Sequence, residues 1–135
     1  MKHFVLDPHM CSTFGGAFYP TGYSMVMFPN ADDANRVGHQ LIDRGFSGDE
    51  IYLIPPKTML SQISPTVRDD ADSPLPSAGT DGATVRAYTQ LARDGHTGLL
   101  VKTENRNAAE RLMEVVRTVP YSVAERYCRL VIEDL

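Results

Sequence analysis

The hydrophobic pattern changes period several times along the chain, and those changes outline the elements. Residues 23–28 (Tyr-Ser-Met-Val-Met-Phe) are apolar at nearly every position and read as a buried strand. Residues 30–44 switch to helical spacing, with Ala34, Val37, Gly38, Leu41 and Ile42 on one stripe. Asn30 is a good N-cap there, Asp32 and Asp33 suit the positive end of the helix dipole, and Gly45 stands where a left-handed residue ends a helix. Residues 51–54 form the next strand, stopped by Pro55 and Pro56, and residues 57–63 fit a short helix. A helix over 83–94 turns Val85, Tyr88, Leu91 and Ala92 inward and ends at Gly95. A strand follows at 97–103. Asn105 then caps a helix over 105–118 with Ala109, Leu112, Met113 and Val116 as its stripe, and Pro120 terminates it. A last strand falls within 124–135, densest at 127–132, and His3 to Leu6 could add a short one at the start.

This order divides the chain into an N-terminal arm, residues 1–22, and a single α+β domain, residues 23–135. Residues 64–82 are expected to be a mobile loop, because they hold three prolines and set four aspartates against one arginine. The two halves repeat each other as strand, Asn-capped helix, strand. Two such βαβ units packing their helices on one face of a four-stranded antiparallel sheet make a ferredoxin-like sandwich, here with a long loop and an extra helix between the units. A flavodoxin-like parallel sheet needs more helices between its strands than the pattern supplies. The ferredoxin-like sheet leaves one open face and two edges. The arm carries Phe4, Val5, Phe14, Phe18 and Tyr19, too apolar a set for a free tail. A homodimer, with each arm reaching across, accounts for both; an arm folded back over its own sheet is the alternative.

Composition narrows the classes. The chain has 135 residues, 42% hydrophobic and 22% charged, which suits one folded domain rather than a disordered chain. Its formal net charge of −4 argues against a general nucleic-acid binder, which needs a surplus of cations. No run approaches the about 18 apolar residues of a membrane helix, and residues 1–22 lack the apolar centre of a secretory signal. With only Cys11 and Cys128, a disulfide scaffold is not indicated, and a cytoplasmic location with reduced thiols is expected.

One resemblance runs from residue 23 to about 130. Phe28, Asp32 to Ala34, Leu41, the Gly45-Phe46 pair and Asp49-Glu50-Ile51 resemble the opening of the bacterial general-stress-protein (heat-induced stress protein) domains. Tyr88, Asp94-Gly95-His96, the strand to Val101 and Asn107-Ala108-Ala109-Glu110 resemble their later part. The resemblance implies the α+β fold and an association with stress. It implies no catalytic site, since the shared residues are packing and turn residues.

Candidate chemistry is sparse. His96 follows a helix C-terminus, which would stabilise its cation, and could serve as an acid or base; His39 lies beside the first helical stripe. No serine or cysteine nucleophile can be assigned to either from the sequence. His3, His9 and Cys11 match no metal-ligand spacing, and Asp69, Asp70 and Asp72 lack the glycine and closing glutamate of a calcium loop, so no metal site is expected. Gly79 to Gly82 fits turn chemistry better than a phosphate loop, because no Gly-Lys-Ser/Thr accompanies it. The six tyrosines are better explained by packing than by base stacking, in the absence of an RNP1 pattern. No cofactor is indicated. The expected function is a non-enzymatic stress-associated or regulatory domain that acts by self-association or partner binding. The alternatives are a small-molecule sensor or a small enzyme using one of the histidines.

Overall fold

The computed structural model describes residues 1–12, 16–67 and 79–135, with residues 79 and 80 described in their backbone only. They form a mixed α+β structure. Its strands are β1 (Lys2–His3), β2 (Tyr23–Phe28), β3 (Ile51–Ile54), β4 (Thr97–Lys102), β5 (Val123–Tyr127) and β6 (Ile132–Asp134). Its helices are α1 (Ala31–Asp43), the single turn α2 (Pro56–Thr58), α3 (Gly79–Arg93) and α4 (Arg106–Val116). A wide π-type turn, Met59–Ile63, and a tight 3-10 turn, Ser64–Thr66, continue from α2.

All six strands join one sheet in the order β1–β3–β4–β2–β5–β6. The pairings are antiparallel except β1 with β3, which run parallel. Successive side chains on a strand point to opposite faces, so β2, β3, β4 and β5 each feed two cores. Val26, Phe28, Ile51, Leu99, Val101 and Ala124 face one way and meet Ala34, Val37 and Leu41 of α1 and Leu112, Met113 and Val116 of α4. Met25, Met27, Ile54, Leu100 and Tyr127 face the other way. There they meet Met59 and Ile63 of the wide turn, Val85, Tyr88 and Ala92 of α3, and Phe4 and Phe18 of the arm.

The helices begin where capping chemistry allows. The Asn30 side chain accepts from the Asp32 N–H, and the Asn105 side chain from the Ala108 N–H. Gly45 and Gly95, at φ of 98° and 91°, adopt the left-handed conformation that ends α1 and α3.

Four features differ from the expectation. The sheet has six strands, not four, and its second face is covered by the chain itself rather than left open. The cover includes the arm. The Leu6 N–H donates to Gln62 Oε1 at 2.8 Å, the Phe18 N–H to Thr66 Oγ1 at 3.0 Å, and the Tyr19 hydroxyl to the Cys128 carbonyl at 2.6 Å. The physical reason is burial: Phe18 is fully buried and Phe4 nearly so, edge-on to each other at 6.0 Å. The expected last strand is two strands, because the Cys128 N–H bonds back to the Val131 carbonyl at 2.9 Å and closes a hairpin between β5 and β6. The expected loop over 64–82 contributes the 3-10 turn at one end and the first turn of α3 at the other. Its central part, residues 68–78, lies outside the described residues.

Candidate functional site

Strand order brings together two residues that are far apart in sequence. His96 immediately precedes β4 and Ser122 immediately precedes β5. Both strands run antiparallel to β2 and lie on either side of it, with Thr97 opposite Phe28 and Val123 opposite Met27. His96 and Ser122 therefore flank the C-terminal end of β2, and Ser122 Oγ lies 2.6 Å from His96 Nδ1. Backbone bonds hold both residues: the His96 N–H donates to the Leu91 carbonyl at 3.0 Å, and the Ser122 N–H to the Met27 carbonyl at 2.7 Å. Ser122 is exposed and His96 half-buried. With Nδ1 unprotonated, the serine hydroxyl donates to it, and the imidazole is placed to take that proton.

The other sequence candidates are not drawn into this pair. His39 is exposed on α1, and its side chain has no hydrogen-bond or ion-pair partner among the described residues. His3 lies in β1 and is exposed, and the His9 N–H donates to the Asp7 carboxylate at 2.9 Å. Cys11 and Cys128 are free thiols. Burial, and secondarily the Asp7 charge, push the Cys11 thiol above its ordinary range, which makes it a poorer nucleophile. Among the described residues no three His, Cys, Asp or Glu side chains converge as a metal site. Asp69, Asp70 and Asp72 lie outside the described residues. Gly79 to Gly82 are the first turn of α3 rather than a loop. Five of the tyrosines, Tyr19, Tyr23, Tyr52, Tyr88 and Tyr127, pack against the second core.

The surface depressions offer little purchase. One of about 280 Å³ beside Phe46 contains Lys102 and Arg111, the type of cations that could hold an anion. Both are engaged: Lys102 Nζ lies 3.1 Å from Glu104, and the Arg111 guanidinium stacks 4.7 Å over the Phe46 ring. Another, of about 350 Å³, lies between α1 and α4 against Gln40, Asp43, Arg44, Val115 and Thr118.

The C-terminal edge is the more distinctive surface. Leu130 is 92% exposed and Val131 57%, both in the turn between β5 and β6. β6 is the outermost strand on that side, with no strand beyond it among the described residues. Arg126 Nε meets Glu133 at 2.9 Å across the hairpin. Glu125 stands opposite Asp134, and burial together with that like charge raises the Glu125 carboxyl above its ordinary range.

Sequence reasoning missed both Ser122 and the hairpin turn. Ser122 carries no local signal, since its contact with His96 exists only through the order of strands. The turn reads as strand because Leu130, Val131 and Ile132 are apolar in a row. No protein-family model matches the chain, and neither a curated protein nor a solved structure matches it.

Proposed function

We propose that this protein is a non-enzymatic, stress-associated regulatory domain that acts by self-association or partner binding at its C-terminal sheet edge. One observation carries the reading: both faces of the sheet are covered, yet Leu130 and Val131 stand in solvent beside the edge of β6, which pairs with no further strand among the described residues. An edge strand offers a row of free N–H and C=O groups to a further strand, and an apolar tip adds the contact that desolvates them. A second copy of the chain is the occupant we favour, since a two-fold contact of β6 on β6 uses the same edge twice. The edge is short and the tip small, which puts the contact at the low end of interface sizes and makes a weak, concentration-dependent dimer the expectation.

The fold we propose behind this surface is ferredoxin-like. The order β3–β4–β2–β5, with α1 and α4 packed on one face, supports two interlocked βαβ units. On this reading α3, the turns before it and the arm are additions on the other face. The stress association rests on the resemblance of residues 23–56 and 88–110 to the general-stress-protein domains, and it is proposed on that footing alone.

Light scattering over a rising concentration series tests the proposal, comparing the full chain with Leu130→Asp and Val131→Asp. The expected result is a mass that rises toward a dimer in the high micromolar range and stays monomeric in both variants. A chain that remains monomeric throughout, or a dimer indifferent to both substitutions, overturns it.

A further inference from the structure

The binding surface does not use the Ser122–His96 pair, which has the geometry of an activated hydroxyl. We propose that Ser122 is a covalent acyl-acceptor site, modified by an activated acyl ester or thioester with His96 as the base. Three observations carry this. Ser122 Oγ and His96 Nδ1 are 2.6 Å apart, within reach for direct proton transfer. Both residues are anchored through their own backbone N–H groups, which fixes the two backbones from which the side chains meet. The serine is exposed, so an acyl donor can reach it.

The step balances within the pair and the donor. The Ser122 oxygen forms a bond to the acyl carbon as its proton passes to His96 Nδ1. The bond from the acyl carbon to the leaving oxygen or sulfur breaks, and the leaving group departs with that electron pair. The imidazolium then returns its proton to the leaving group or to water. Nothing is oxidised or reduced, and the product is a serine ester that removes the hydroxyl donor from His96.

Two other serines are internal controls. Ser47 and Ser61 are also exposed, but the Ser47 oxygen accepts from the Asp49 N–H and the Ser61 hydroxyl donates to the Thr58 carbonyl, so neither faces a base. The experiment treats the full chain with p-nitrophenyl acetate and follows acetylation of each serine-containing peptide by mass spectrometry. A positioned base contributes roughly a hundredfold or more in rate. The expected result is that Ser122 is acetylated more than about tenfold faster than Ser47 and Ser61, and that His96→Gln removes the advantage while leaving the thermal melting of the chain unchanged. A Ser122 rate within about tenfold of the two controls overturns the proposal, and this comparison needs no variant. An advantage that survives His96→Gln also overturns it, because the contact would then be only a tie between two turns.

Discussion

The hydroxyls of Tyr88 and Tyr127 meet 3.0 Å apart inside the second core, where the two residues are 0% and 1% exposed. One comes from α3 and the other from β5, so the contact joins the covering helix to the sheet. Burial raises both phenols above their ordinary range, which keeps them neutral and able to donate. Each satisfies the other, and among the described residues no buried side-chain polar atom lacks a partner.

Removing one hydroxyl should therefore cost more than removing both suggests. Tyr127→Phe leaves the Tyr88 oxygen unpaired in an apolar setting, at a cost of about 1–3 kcal/mol. The double variant Tyr88→Phe, Tyr127→Phe should fall short of the sum of the two singles in urea unfolding. Strict additivity would mean the two groups are not coupled.

Leu41 and Leu112 project from α1 and α4 into the first core, both fully buried. Leu→Ala at either position should lower stability by about 2–5 kcal/mol, the transfer cost plus the cavity left behind. Losses below about half a kcal/mol at both positions would show that these stripes do not hold the helices to the sheet.

Phe18 tests the arm. It is fully buried, edge-on to Phe4 and to Tyr127 at 6.0 Å each. Phe18→Ala should cost about 3–5 kcal/mol, and a chain starting at Thr21 should expose the second core and bind a hydrophobic dye. An arm that can be removed without change in melting or dye binding would not be part of the fold.

Glu125 sets a pH dependence with a definite sign. Its carboxyl is raised in the folded chain by burial and by Asp134, so the folded state holds that proton more tightly than the unfolded state does. The penalty for ionising it is present in full above the raised value and absent below the ordinary glutamate value of about 4.5. Glu125→Gln should melt above the unsubstituted chain at pH 7, with the gap narrowing as the pH falls toward 4.5. A variant that melts lower at pH 7 would contradict this.

The parts of the fold written in local pattern were legible. β2 and β3 match the apolar runs residue for residue, and α1 and α4 begin one residue after the expected caps Asn30 and Asn105. The parts that depend on distant contacts were not. Met25 to Phe28 are apolar at every position, which is the mark of a strand buried on both faces, and an open face runs against that mark. What covers the second face, Phe4 and Phe18 together with Met59, Ile63 and Tyr88, is scattered over segments whose own patterns do not name a partner. At the candidate site His96 was legible as a residue beside a helix end, while Ser122, 26 residues away, was not.

The parallel register of β1 against β3 bears on the order of folding. Lys2 pairs with Tyr52, so the contact closes a loop of about fifty residues for only two strand residues of ladder. The β2, β4 and β5 core needs no part of the arm in order to pair, whereas the arm needs β3, Gln62 and Thr66 already in place. The arm is then the last element to dock and the first to detach. In hydrogen exchange the amides of Leu6 and Phe18 should open well before those of β2 and β4, and equal protection would mean that arm and sheet form as a single cooperative unit.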